Sequence, residues 1–195
     1  AVLKQCTARE ARACQRVRAT APHAHLVQVQ RVYEQAPARV LMAYGGRDLY
    51  DVIDASVPPA SQVLAWMSAV SDAAHHLHTR ARCAHCDIKP ENVFVDGAGA
   101  ARLGDFGGLT PLRQRVRQVT PGYFNGHHVA LPGSDVFSIV LTAMVGVFRA
   151  TPDGFDTHTH EGRVHFMHFC AATADFGVDF VLGAWPHNLH VALGA

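Results

Sequence analysis

The chain has 195 residues, 49% of them hydrophobic, which suffices for one domain with a sizeable core or for one domain and part of another. Its formal net charge of +1, with both signs dispersed, excludes an electrostatic footprint for nucleic acid or an acidic membrane surface. Five cysteines, an odd number without a secretory signal, argue against a disulfide framework and for a reducing intracellular compartment, cytoplasmic or nuclear.

The chain opens without Met in an apolar, strand-like run, Ala1-Val2-Leu3, which suggests a fragment of a longer protein. Ala8 to Cys14 is rich in Ala and Arg, favours helix, and contains Glu10. Leu26 to Tyr33 partly alternates and is rich in Val, so it predicts a strand; Gln35-Ala36-Pro37 turns the chain into a second strand, Arg39 to Ala43, which runs into Gly45-Gly46. Asp48 to Ile53 predicts a short helix that stops before Pro58-Pro59. A longer helix over 60–79 carries Leu64, Met67, Val70, Ala74 and Leu77 at three- and four-residue intervals, a stripe made for a core. His75, His76 and His78 at its end suit a solvated last turn, where cations meet the negative end of the helix dipole.

Cys83-Ala84-His85-Cys86 is a C-x-x-C, but Cys6, Cys14 and Cys170 form no second pair, so neither zinc nor redox chemistry is expected. It overlaps a denser constellation, His85-Cys86-Asp87-Ile88-Lys89-Pro90-Glu91-Asn92. A hairpin follows: Asn92-Val93-Phe94-Val95, a turn at Asp96-Gly97-Ala98-Gly99, then Ala101-Arg102-Leu103-Gly104, ending on Asp105-Phe106-Gly107. Next come Thr110, Arg113, Arg115 and Arg117, then Thr120-Pro121-Gly122-Tyr123-Phe124 and Asn125-Gly126-His127. Gly133-Ser134-Asp135 suits a helix start. The apolar run behind it, Val136 to Phe148, is interrupted by Ser138, Thr142 and Gly146 and falls short of the roughly 20 residues that span a bilayer, so it predicts a buried helix and no membrane partner. His158, His160, His165 and His168 include no H-E-x-x-H and no cysteine pair, so no zinc site is expected there.

His85-x-Asp87-x-Lys89-x-x-Asn92, followed by Asp105-Phe106-Gly107, resembles the catalytic loop and metal-binding motif of protein kinases, H-R-D-x-x-x-x-N and D-F-G, with Cys86 in place of the Arg. Val2-Leu3-Lys4 resembles the end of that family's V-A-I-K strand, and Met42-Ala43-Tyr44-Gly45-Gly46 its adenine-binding hinge, with Met42 as gatekeeper. Thr120-Pro121-Gly122-Tyr123 resembles the end of the activation segment, with Asn125-Gly126-His127 where A-P-E belongs, and Gly133 to Ser138 resembles the S-D-V-W-S opening of the central helix.

The resemblance implies an α+β, protein-kinase-like two-lobe fold: a reduced N-terminal β lobe over residues 1–44 and a mostly helical C-terminal lobe over 45–195. It implies a Ser/Thr protein kinase that transfers the γ-phosphoryl group of ATP, with Mg²⁺, to a Ser or Thr hydroxyl of a protein substrate. By that resemblance Asp87 receives the substrate proton, Lys89 steadies the transferring group, Asn92 and Asp105 hold Mg²⁺, and Lys4, paired with Glu10, contacts the nucleotide phosphates. Asp135 would accept hydrogen bonds from the catalytic-loop backbone, and Thr120 would place its hydroxyl near Asp87 and Lys89. Cys86 carries no charge for a phosphate to neutralise, so no phosphorylation switch at Thr110 or Thr120 is expected, although Arg113, Arg115 and Arg117 offer a local phosphate site. No glycine-rich loop precedes Lys4, and the Lys4 to Glu10 spacing is shorter than the family's. These departures and the lost A-P-E support a second reading, a pseudokinase acting as a binding scaffold. A third is a small-molecule phosphotransferase of the aminoglycoside-kinase type, against which Lys89 and Thr120-Pro121-Gly122-Tyr123 favour protein substrates.

Overall fold

A computed structural model describes residues 1–120, 123 and 128–148 and gives the expected α+β architecture. Strands β1 (Val2–Gln5), β2 (Val29–Tyr33) and β3 (Arg39–Met42) form an antiparallel sheet in the order β1-β3-β2, with Lys4 opposite Val40. Helix α1 (Ala8–Arg18) buries Ala11, Ala13, Cys14 and Val17. Thr7 caps it, its side chain accepting from Glu10 N at 3.1 Å, so that the helix starts three residues after Lys4. Because β1 lies at the edge, Val2 and Leu3 stay 42% and 55% exposed. The predicted strand from Leu26 is shorter than expected. Leu26 leaves the sheet to bridge Leu103, and pairing with β3 is irregular between Val29 and Arg31.

The chain then enters β4 (Arg47–Asp48) through Gly46, whose φ of +117° and close approach to Val95 O exclude a side chain. Asp48 caps α2 (Leu49–Ala55), accepting from Asp51 N at 2.8 Å. Helix α3 (Ala60–His76) runs on as a π-helical turn, Leu77–Ala81, that closes at Arg82 in the left-handed conformation, φ 56°. Its buried face is Val63, Trp66, Met67, Val70 and Ala74, so Leu64, expected in the stripe, lies to one side and is half-buried. The difference arises because α3 packs on two neighbours, α4 (Pro132–Phe148) and the hairpin of β6 (Val93–Val95) and β7 (Ala101–Leu103), which widens the apolar arc. Trp66 Nε1 donates to Gly99 O at 2.9 Å and ties α3 to the hairpin turn.

Strands β4, β6 and β7 make one small sheet, and β5 (Cys83–Ala84) pairs with β8 (Thr110–Pro111) in another. The main core holds Leu49, Val63, Met67, Leu77, Ile88, Leu103 and Phe106, all with no exposed area, each contributing about 1.5–3 kcal/mol of burial. Within α4, Ser138 and Thr142 donate back to Ser134 O at 3.0 Å and Ser138 O at 2.8 Å, which satisfies the polar interruptions of the apolar run. Among the described residues no helix is long and apolar enough to cross a membrane. Asn125-Gly126-His127, Cys170, His158, His160, His165 and His168 lie outside the described residues.

Candidate active site

The loop from His85 to Asn92 is built on one buried carboxylate. Asp135, in the first turn of α4 and fully buried, accepts from His85 N at 2.7 Å and Cys86 N at 2.8 Å. His78 Nε2 lies 2.8 Å from the same carboxylate. His78 is thus not part of a solvated last turn, as its sequence neighbours suggested. The π-helical turn rotates it inward, while His75 stays exposed and His76 Nε2 meets Thr20 Oγ1 at 3.1 Å. The bracing has a physical purpose: Cys86 is left-handed at φ 64°, a conformation that costs a β-carbon residue on the order of 1–3 kcal/mol unless its surroundings hold it.

His85, buried, sets the next residue. Its Nε2 faces Gly104 O at 2.9 Å, and a carbonyl only accepts, so Nε2 carries the proton and Nδ1 is free to accept from Asp87 N at 3.4 Å. Gly108 presses on the same point, since a Cβ there would meet Asp87 Cβ and His85 O at 2.9 Å each. Asp87 is therefore aimed by contacts from two sides. Asn92 Nδ2 donates to Asp87 O at 2.7 Å and to Asp87 Oδ2 at 3.0 Å. On the other oxygen, Thr120 Oγ1 donates to Oδ1 at 2.6 Å and Thr120 N at 3.1 Å. Lys89 Nζ reaches the same Thr120 hydroxyl at 2.8 Å and stands 3.9 Å from Asp87 Oδ2. A side-chain hydroxyl thus sits between a carboxylate that can take its proton and an ammonium that can stabilise developing negative charge.

A second cluster lies at the end of the hairpin. Lys4 Nζ bridges Glu10 Oε1 at 2.8 Å and Asp105 Oδ1 at 3.1 Å. The short spacing is enough because α1 begins directly after β1, with Thr7 as its N-cap, and Glu10 in its first turn reaches Lys4. Burial lowers the Lys4 pKa, but the hydrogen bond to Glu10 and the charge of Asp105 outweigh it and the net shift is upward. Asp105, left-handed at φ 53°, shows the converse: burial raises its pKa, yet Lys4 and the Gly107 N–H at 3.2 Å bring it below the usual carboxylate range. Both bonds fall on Oδ1, which leaves Oδ2 as the oxygen for a cation. Asn92, its Nδ2 directed to Asp87, offers its amide oxygen, so the donor set is the hard-oxygen kind that suits Mg²⁺.

The hinge residues are less enclosed. Met42 is half-buried against the core, whereas Tyr44 is 66% exposed. A cavity of about 730 Å³ includes Ala43, Tyr44 and Gly45 but none of Lys4, Asp87, Asn92 or Asp105. It lies on the α1 and hairpin-turn side, away from the carboxylates, since His23 and Asp96 also line it.

Cys86 occupies the place of a charged residue without providing a charge. It is buried with Ala84 and Ala130, and Leu112 and Val116 cover it. Burial, reinforced by Asp135, pushes its thiol pKa far up. The chain over it is fastened by backbone bonds: Arg113 N to Ala130 O and Ala130 N to Gln114 O at 2.8 Å, and Val116 N to His128 O at 2.9 Å. Thr110 is buried, donates to Gly108 O at 2.9 Å and receives Arg9 Nη2 at 3.4 Å.

His78 and Gly108 escaped the sequence reading, the first because a π-helical turn leaves no periodic signal, the second because Gly after D-F-G reads only as a turn. Thr7 was findable, since T-x-x-E before a helix is a start signal.

Residues 2–175 match a family model described as the protein kinase domain. The human protein named NUAK family SNF1-like kinase 2 is 27% identical over 152 residues, covering 71% of this chain and 24% of that protein. The Saccharomyces cerevisiae serine/threonine-protein kinase CHK1 is 39% identical over 75 residues, 38% of this chain and 14% of that protein. A serine/threonine-protein kinase US3 homolog of Bovine herpesvirus 1.2 is 48% identical over 52 residues, 27% of this chain and 10% of that protein. The chain spans about a quarter of the length of the first of these relatives.

Proposed function

This chain belongs to the protein kinase family, and on that premise we propose that it is a Ser/Thr protein kinase, transferring the γ-phosphoryl group of ATP to a protein hydroxyl. The observation that carries the reading is the Asp87, Thr120 and Lys89 contact, in which a threonine hydroxyl stands 2.6 Å from the carboxylate and 2.8 Å from the ammonium. A substrate Ser or Thr replaces that hydroxyl at Asp87, which orients it and takes its proton, while Lys89 offsets charge on the group being transferred. Asn92 and Asp105 would hold Mg²⁺, which supplies neutralisation of phosphate charge when bound. Lys4, held by Glu10, contacts the nucleotide phosphates, and Met42 and Tyr44 border the adenine. Residues 1–44 serve as what is present of the upper lobe and 45–195 as the lower. The serine/threonine-protein kinase relative supports a protein partner, and the intracellular setting follows from the proposed activity, since ATP is an intracellular substrate.

The test is phosphoryl transfer by the purified chain with Mg²⁺ and ATP on Ser, Thr and Tyr peptides, with Asp87→Asn as control. Transfer to Ser or Thr that disappears in the variant is the expected result; transfer that persists in it would remove Asp87 from the role. A pseudokinase scaffold is the competing reading. It predicts nucleotide binding, or none, with no transfer in either protein.

A further inference from the structure

Three histidines meet where the connection from α1 to β2 rests on the end of α3. The His23 ring lies 4.8 Å from the His76 ring and 5.8 Å from the His25 ring, centroid to centroid, and all three residues are half-buried. Hydrogen bonds fix their proton states. Thr20 Oγ1 donates to Val17 O at 2.7 Å, so its oxygen accepts from His76 Nε2 at 3.1 Å, and that nitrogen carries a proton. Ala101 O only accepts, so His25 Nδ1, 3.2 Å away, carries one as well. His23 is the opposite case: its Nδ1 accepts from His25 N at 3.3 Å and is bare. From α3 and the turn after it, His75 and Arg80 act on His76, while the carboxylate of Asp72 acts on His23. In the cavity that His23 lines, Arg102 is paired with Asp96 at 2.6 Å and Arg18 Nε donates to Gln30 O at 3.1 Å.

We propose that His23, with His25 and His76, forms an acid-sensitive latch that holds the α1 to β2 connection on α3 when neutral and releases it when protonated. An imidazolium has two donors and no acceptor, so protonated His23 loses the bond from His25 N in every ring orientation. It also sets a positive charge beside two rings that titrate in the same range, and each further proton is repelled. His25 and His76 keep their own bonds on protonation, because both already donate. His23 is thus the member whose bond breaks. Burial, then His76 and His25, lower the pKa of His23 against the opposing charge of Asp72; burial, then Arg80, lower that of His76 against its bond to the Ala21 backbone. With a folded-state pKa below the unfolded value of about 6.5, His23 is protonated more readily in the unfolded chain. Its contribution to stability is therefore complete above that value and is lost as pH falls through the folded one. The effect reaches beyond the loop, because α1 carries Glu10, which holds Lys4 at 2.8 Å, and release frees the far end of that helix.

The test reads local opening and is independent of catalysis. Hydrogen exchange of residues 19–27 in the full chain is compared at about pH 7.5 and about pH 5.5, as protection factors, so that the intrinsic pH dependence of exchange is removed. Protection in the parent should fall at least about threefold on acidification. His23→Asn is the decisive variant, because a side-chain carbonyl there accepts from the N–H two residues on, as in an Asx turn, and does not titrate. Its protection should stay within about twofold of the parent at neutral pH and should not fall in acid. His128→Asn, an exposed histidine outside the cluster, should respond as the parent does. A second measurement uses the parent alone: in an NMR titration the His23 ring should titrate below about 6.5, and the His25 amide should shift with the same midpoint. Protection lost equally by the parent and His23→Asn would place the sensor in another histidine and overturn the proposal. So would parent protection that is the same at both pH values, a His23 ring that titrates at or above the free value, or a His25 amide that does not follow the ring.

Discussion

Asp135 and Lys4 each fix a loop that bears a candidate catalytic carboxylate, under opposite conditions. Asp135 is fully buried and engages two backbone N–H groups and His78, so that Asp87 stands on a floor with no water to substitute for lost bonds. Lys4 has 37% of its side chain exposed and Asp105 38%, so solvent competes for their charges. Buried polar contacts are expensive to break and therefore rigid. Half-exposed ion pairs add little stability but yield readily to a ligand. Under the proposed function, the acceptor side of the site is preassembled, and the side assigned to the nucleotide is arranged to exchange partners.

The strongest way to break this contrast is Asp135→Ala. It strands two buried N–H donors and the His78 ring, and the expected loss is about 3–5 kcal/mol of unfolding free energy in a denaturant titration. A loss under about 1 kcal/mol would mean that the floor is not a floor. Asp87→Asn tests the chemistry above it: transfer should fall about 10²- to 10⁴-fold while Mg²⁺-ATP affinity stays within a few-fold, as single-turnover and binding measurements would show. Gly108→Ala tests the aim, because its methyl meets Asp87 Cβ and His85 O at 2.9 Å; a transfer rate lower by on the order of 10²-fold, at unchanged ATP affinity, is expected.

How much of this was legible follows from the kind of order involved. The candidate catalytic stretch stood out because polar residues at fixed offsets have few other reasons to occur together, and the hairpin returned Asp105 as its turn chemistry requires. The Lys4 to Glu10 pair looked too short on paper; whether a strand and a helix can be joined so tightly depends on the Thr7 cap geometry. His78 was misplaced because helix periodicity assumes an α-helix, and one π-helical turn moves a side chain from solvent to core. Strands β4, β5 and β8, two residues each, are too short for any pattern and exist only through their partners.

On the Lys4 side, Glu10→Gln should cost about 1 kcal/mol of stability and weaken Mg²⁺-ATP binding, and added salt should shrink the difference. The pH dependence has a definite sign. Asp105 has a lowered pKa when folded, so its contribution is present above the unfolded carboxylate value of about 3.9 and fades as pH falls through the folded value. Lys4 has a raised one, so its contribution is complete below about 10.5 and fades as pH rises through the folded value. Between about pH 5 and 9 the stability gap between the parent and Asp105→Asn should be flat, and it should narrow in acid. A gap that widens in acid would show that the triangle of Lys4, Glu10 and Asp105 does not form in solution.

The smallest expected effect sharpens the contrast most, because it is none. If the acceptor side is held by buried contacts, phosphatase treatment of the chain should leave the transfer rate unchanged, as should comparison with Thr110→Val. Cys86 has no charge to be neutralised, its thiol pKa is raised by burial, and Leu112 and Val116 close over it as an apolar cover. The backbone bonds to Ala130 and His128 fasten the segment without any phosphate. Thr110 is inaccessible to a modifying enzyme while β8 is paired, and valine keeps its shape while removing the bond to Gly108 O and the contact from Arg9 Nη2. Loss of transfer on phosphatase treatment would require a modified residue elsewhere in the chain, and intact-mass measurement before and after treatment would locate it. Phosphatase sensitivity traced to Thr110 would mean that the segment opens far enough to expose β8, and the acceptor side would then be as exchangeable as the nucleotide side.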